Sequence, residues 1–276
     1  MANVSVWMGQ SVLNPSEAVG MEYTHIKPET DGNVGILTLD RPAKFNAINH
    51  GLLFEIEHYF DTLPDEIGAV VIRSSGQHFC AGLDLLEHSM RDTAGAMQEC
   101  RLWHRIFDKI EYGRVPVVAA MNGGVLGGGM ELAMTAHIRV SQQDTFYELP
   151  EGRRAIFVGG GATVRVGRII GASRMMEMML TGRRYGAEQG LQLGLAHYVE
   201  PNGTAFDKAM ELARRVTENA PLSNYMMMQA ITRINDMSAS DGFFAESLAA
   251  AIAQSSPEAR AGMEAFLTKT GKRDNQ

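Results

Sequence analysis

The chain has 276 residues, 45% hydrophobic and 21% charged, a composition that supports a full core and excludes a disordered polypeptide. Its 25 basic and 32 acidic residues leave a formal net charge of −7, which disfavours non-specific binding to nucleic acid or to an anionic membrane. Two cysteines, Cys80 and Cys100, exclude a disulfide scaffold, and no run approaches the ~18 consecutive apolar residues of a membrane span.

The first twenty or so residues carry no clear period and read as a loose extension. They lack the basic-then-apolar order of a secretory signal, so a cytoplasmic location is expected. Val34–Leu39 has the pattern of a strand, ended by Asp40-Arg41-Pro42. Residues 49–62 place Leu52, Leu53, Ile56, Tyr59 and Phe60 at helical spacing. Ala69–Arg73 is a short apolar run of the kind found in buried strands. A charged stretch, Glu87–Met97, then leads into a second helix through Ile110. Val115–Met121 reads as the next strand, with Pro116 near its start, where a missing N–H is tolerated. Gly123–Gly129 reads as a loop, Met130–Met134 as a helix and Ile138–Val140 as a strand.

Strands alternating with helices at this spacing predict an α/β architecture with parallel crossovers. After residue 200 the pattern turns helical: 204–219, 221–236, 241–254 and 257–268. Ser256 before Pro257 supplies an N-cap serine and a first-turn proline. The organisation expected is an N-terminal extension over 1–30, an α/β core over 31–200 and a helical subdomain over 201–276.

Phosphate-binding, zinc-protease and serine-hydrolase motifs are missing from the sequence. None of the eight histidines pairs with cysteine or another histidine at zinc-ligand spacing, so no metal site is expected. Any chemistry falls to carboxylates and backbone. In Asn122-Gly-Gly-Val-Leu-Gly-Gly-Gly-Met-Glu131 a strand runs through glycines into a helix. Exposed N–H groups there stabilise negative charge, and Glu131 in the first turn suits a general base. The same segment also fits plain helix–sheet packing. Phe79-Cys80-Ala81-Gly82-Leu83-Asp84 forms a small-residue loop that offers a second N–H to the same oxygen. Asp84 reads there as a helix cap or loop anchor. Glu148 and Glu151 follow in Phe146–Gly152, and by themselves read as surface acids.

These stretches, with Asp40-Arg-Pro-Ala-Lys-Phe-Asn46-Ala47, Leu180-Thr-Gly-Arg183 and Gly262–Lys269, resemble the crotonase (enoyl-CoA hydratase/isomerase) superfamily over roughly residues 30 to 270. The resemblance implies a crotonase-like ββα spiral core with a C-terminal helical trimerisation subdomain. It implies an acyl-CoA thioester substrate, with coenzyme A entering as part of that substrate and no other cofactor. The oxyanion hole would be built by the N–H groups of Ala81 and Gly128, with Glu131 and Glu151 as the paired acids and Leu83, Asp84 and Lys269 as substrate-binding positions.

Phe146–Pro150 is one residue longer than the usual segment, which leaves Glu148 as the alternative second acid. Arg153 and Arg154 read as salt-bridge or subunit-contact residues, and Trp103 as packing or pocket lining. The reaction implied is hydration of 2-enoyl-CoA to 3-hydroxyacyl-CoA. The alternatives are isomerisation, thioester hydrolysis, hydration coupled to carbon–carbon cleavage, and a non-catalytic acyl-CoA or RNA-binding relative. A homotrimer, or a hexamer built as a dimer of trimers, is implied, with neither nucleic acid nor membrane as partner.

Overall fold

The computed structural model describes residues 22–86, 92–262 and 264. The chain opens with β1 (Ile26–Asp31), which pairs antiparallel with β2 (Val34–Leu39). No sequence pattern announces β1, because only Ile26 of its six residues is buried. It straddles position 30, where the sequence reading ends the N-terminal extension. The β2 strand is buried along its whole length and runs parallel to β3 (Ala69–Ser74). Beyond β3 lie β4 (Val117–Met121), β6 (Ile138–Gln142) and β9 (Tyr198–Glu200), each parallel to its neighbour, so the large sheet has the order β1-β2-β3-β4-β6-β9. Continuous apolar runs suit these strands because both faces of the sheet are covered.

One face packs on α1 (His50–Asp61) and α2 (Thr93–Glu111), with Leu52, Leu53, Ile56, Ile106 and Ile110 in the main core. Asn49 caps α1 by accepting the Leu52 N–H at 2.9 Å. The other face is covered by α7 (Ala205–Thr217), whose Ala205, Ala209, Leu212 and Ala213 meet Val34, Val71, Val118 and Val140.

A second, three-stranded sheet crosses the chain path: β5 (Gly124–Leu126), β7 (Phe146–Glu148) and β8 (Tyr185–Gly186). The segment 123–129, expected as a loop, is therefore a strand over 124–126, because it finds parallel partners in β7. The helix after it, α3, begins at Gly128 and ends at Ala133. The repeating order is strand of the large sheet, strand of the small sheet, then helix, which is the spiral implied by the resemblance. The chain continues through α4 (Ala162–Ile170), α5 (Ala172–Thr181) and α6 (Ala187–Leu193), and closes with α8 (Pro221–Ile234) and α9 (Ala239–Gln254). Ser256 accepts the Ala259 N–H at 3.0 Å, as an N-cap does. Most of the helix expected over 257–268 lies outside the described residues, as do residues 1–21 and Lys269.

The start of β1 hangs on one buried carboxylate. Glu55 of α1 accepts the backbone N–H groups of Thr24, His25 and Ile26 at 3.0, 2.8 and 3.0 Å, and its Oε1 lies 2.6 Å from His25 Nδ1. Replacing Glu55 by Ala leaves the buried Ile26 N–H without its acceptor and releases the more exposed Thr24 and His25. A loss of about 1–3 kcal/mol is expected, measured by urea denaturation against the unchanged protein.

Candidate active site

The 79–84 loop is built as an outlying strand of the small sheet. The Cys80 N–H donates to the Gly124 carbonyl at 3.1 Å and the Leu126 N–H to the Cys80 carbonyl at 3.0 Å. Asn46, held at positive φ in the turn after Pro42–Lys44, clamps the loop from behind: its Nδ2 donates to the carbonyls of Ser75 (2.8 Å) and His78 (3.0 Å). Asp84 is buried against Arg41 at 3.1 Å and accepts the Leu86 N–H at 3.2 Å. Its carboxylate anchors the loop, as the residue reading has it.

These bonds decide which amides are free. The Ala81 N–H donates to the Phe45 carbonyl at 2.9 Å, so Ala81 does not offer the first oxyanion donor. The Ile48 N–H bonds to the Gly82 carbonyl at 2.7 Å and the Asp84 N–H to the Ile48 carbonyl at 2.9 Å. In a parallel bridge of this kind the residue between, Leu83, turns its own N–H to the opposite side. That side holds Gly128: a Cβ built on Gly128 would sit 3.4 Å from the Leu83 nitrogen. The first turn of a helix leaves its N–H groups without intrahelical acceptors. Among the described residues neither the Leu83 nor the Gly128 N–H has an acceptor. The unengaged amides that face each other here are those of Leu83 and Gly128, where the sequence reading names Ala81 and Gly128. The strand alternation through 80–84 carries the signal, which becomes readable only once the Ile48 pairing is known.

Glu131, buried in α3, turns its Oε1 to the Gly160 N–H at 2.8 Å and the Ala162 N–H at 3.0 Å. Arg165 holds that donor segment in place. It donates to the Gly160 carbonyl at 3.0 Å and pairs with Glu111 (2.5 Å) and Asp108 (2.9 Å) of α2. Burial pushes the Glu131 carboxyl upward, while the two amides and the Arg165 charge pull the other way.

Glu151 opens a short 3-10 turn, Glu151–Arg154, after β7. The Gly127 N–H donates to the Glu148 carbonyl at 3.0 Å, which brings this turn onto the glycines. A Cβ at position 127 would lie 2.6 Å from Glu151 Oε1, and the backbone there is held at φ +48, which favours glycine. Glu151 Oε2 is buried without a hydrogen-bond partner among the described residues. Burial pushes this carboxyl up to about 7, and the charges of Glu131 and Glu148 add to the rise. Glu148 has a different environment. It is buried and paired with Arg184 at 2.6 Å and Arg153 at 3.2 Å, outside the glycine cluster. Arg153 is accordingly a salt-bridge residue, as the sequence suggests.

Trp103 stands over the same glycines. A Cβ on Gly128 would come within 2.8 Å of its Cζ3, and one on Gly160 within 2.9 Å of its Cε3 and 2.7 Å of Glu131 Oε2. Two free amides, two buried carboxyl groups in unlike surroundings and one indole thus share one locus. Such a locus can hold an oxyanion while protons move to and from neighbouring atoms. His88 and Lys269 lie outside the described residues, and the described residues hold no cluster suited to a metal ion.

Comparison with known proteins agrees with this geometry. Residues 29–274 match the family model described as enoyl-CoA hydratase/isomerase. The chain is 29% identical over 252 residues to the short-chain-enoyl-CoA hydratase of Clostridium acetobutylicum, covering 90% of this chain and 97% of that one. It is 31% identical over 240 residues to the 2,3-dehydroadipyl-CoA hydratase of Escherichia coli, covering 85% and 92%. A solved Rhodopseudomonas palustris protein carrying a provisional enoyl-CoA hydratase name superposes with a TM-score of 0.89 at 47% identity, covering 91% and 98%. The enoyl-CoA hydratase of Bacillus anthracis gives 0.83 at 27%, covering 89% and 97%.

A carboxyl whose folded pKa lies above its unfolded value stabilises the protein below the unfolded value and loses that contribution as pH rises through the folded one. For Glu151 the loss runs from about 4.5 to about 7. Glu151→Gln, neutral at every pH, is expected to raise stability at pH 8 by about 1–3 kcal/mol and to leave it nearly unchanged at pH 4, as read by denaturant titration at both values.

Proposed function

The chain belongs to the enoyl-CoA hydratase/isomerase family, and we propose that it adds water across the C2–C3 double bond of 2-enoyl-CoA thioesters to give 3-hydroxyacyl-CoA. The observation that carries this reading is the unlike state of two buried carboxyl groups beside two unengaged amides. The Leu83 and Gly128 N–H groups receive the thioester oxygen. As negative charge builds there during addition, both bonds strengthen, which favours the enolate over the ground state.

Glu131 accepts two amides and faces the Arg165 charge, and both favour its ionised form against the upward push of burial. It takes a proton from water as the water oxygen bonds to C3. The C2–C3 π electrons move to C2 and the thioester oxygen. Glu151, unpaired at Oε2 and pushed up to about 7, holds a proton near neutrality and delivers it to C2. Dehydration is the same path reversed, with the roles exchanged. The step moves protons and forms a C–O bond without net oxidation, so the reaction calls for coenzyme A as part of the substrate and for no redox or metal cofactor.

The names of the Clostridium and Escherichia relatives, both hydratases of acyl-CoA compounds, support this choice over thioester hydrolysis. Retention of both acids favours it over isomerisation, which needs only one.

The same reading makes the protein a homotrimer or a dimer of trimers in the cytoplasm. Exposed Phe243, Phe244, Leu248 and Ile252 on α9, with Ile231 on α8, form an apolar face in keeping with subunit contact. No helix among the described residues is long and apolar enough to cross a membrane.

The test is a panel of trans-2-enoyl-CoA thioesters followed by mass spectrometry. A product one water heavier with its thioester intact is expected; free coenzyme A, or an unchanged mass with a moved double bond, would overturn the proposal. Glu131→Gln and Glu151→Gln are each expected to lower kcat by about 10²–10⁴-fold. Because the acid must be protonated, kcat/KM for hydration is expected to fall as pH rises through about 7, and this limb should vanish in the residual activity of Glu151→Gln.

A further inference from the structure

Trp103 is held from several sides. Its Nε1 donates to Glu99 Oε1 at 3.1 Å, and Glu99 in turn lies 2.9 Å from His50 Nε2. Phe107 packs edge-on against the indole at 5.5 Å between ring centroids. The six-membered ring points inward, over the backbone of Gly128 and Gly160 and beside Glu131 Oε2. Cys100, one turn earlier on α2, fills the neighbouring position: a Cβ on Gly159 would meet its Sγ at 2.8 Å. The amide pair fixes the carbonyl end of a bound thioester and Glu131 fixes where C3 must lie. The chain beyond C3 therefore has to pass the edge of the indole.

From this placement we propose that Trp103 is the specificity-determining residue of the site and limits it to short-chain 2-enoyl thioesters. The inference rests on the hydratase reading for its substrate, and deepens it by naming the acyl class. The indole cannot swing aside without giving up its bond to Glu99 and its packing on Phe107. Longer acyl groups are thus excluded by an immobile wall. In an apolar pocket, space for one methylene more or less changes kcat/KM by about 10-fold or more, and removing part of an indole frees several such spaces.

The experiment compares crotonyl-CoA with trans-2-decenoyl-CoA for the unchanged protein, Trp103→Leu and Trp103→Phe, by initial rates. It adds the affinities of saturated butyryl-CoA and decanoyl-CoA by calorimetry, which require no turnover. Circular dichroism checks that each variant is folded, and Trp103→Phe keeps an aromatic ring should Trp103→Leu fail. The unchanged protein is expected to favour the four-carbon substrate and ligand, and Trp103→Leu to shift both ratios toward ten carbons by about tenfold or more, with Trp103→Phe between. Ratios that stay within about twofold in the folded variants, or an unchanged protein that already prefers ten carbons, would overturn the inference. If no enoyl thioester is hydrated but the affinity ratio shifts as stated, the hydratase reading fails while the wall remains.

Discussion

The reciprocal hydrogen bonds between Cys80 and the strand Gly124–Leu126 are the constraint on which the site depends. They join the loop after one strand of the large sheet to the start of the next crossover. The free amides of Leu83 and Gly128 arrive side by side only because those two segments are stitched together. Asn46 and the Arg41–Asp84 pair reinforce the stitch from behind. Asn46 and Asp84 are buried and satisfied, and their bonds fix the backbone that carries the two unengaged N–H groups.

The same economy of partners separates the three buried glutamates Glu131, Glu148 and Glu151. Glu148 is paired with Arg153 and Arg184 and Glu131 with backbone amides, while Glu151 Oε2 has no partner among the described residues. Identical side chains therefore meet different surroundings: a structural ion pair, a carboxyl that burial pushes upward against two amides and the Arg165 charge, and a carboxyl pushed up to about 7. The contrast comes from neighbours and not from depth, since all three are buried. Two buried carboxyl groups with unlike partners at one locus suit acid–base work there.

Much of the fold is legible in the sequence because β4 and most of β3 are apolar runs and α1 and the C-terminal helices repeat their apolar residues at helical spacing. The small sheet is not legible. Its strands are two or three residues long, too short to show a period, and they exist only through partners distant in the chain. The site divides in the same way. Glu131 and Gly128 are evident from a glycine run before a helix, and Glu151 from its family position. The choice between Ala81 and Leu83 turns on which N–H Phe45 and Ile48 leave unused, and no local pattern encodes that. Asp84 is legible as an anchor from its chemistry alone, and its contacts with Arg41 and the Leu86 N–H fit that reading.

Glycine links the amide pair, the acids and the indole. At Gly127, Gly128 and Gly160 the space a Cβ would occupy is already filled, by Glu151, by Trp103, and by Glu131 with Trp103 respectively. Those side chains approach the backbone more closely than any other residue type would allow, and so reach the atoms that bind an oxyanion. A methyl group at Gly160 would meet Glu131 Oε2 and the indole, and one at Gly128 the indole, which belongs to the main core. At Gly127 it would also strain a backbone held at φ +48. The glycine content of this segment therefore reflects both the side chains packed on it and the backbone shape it takes.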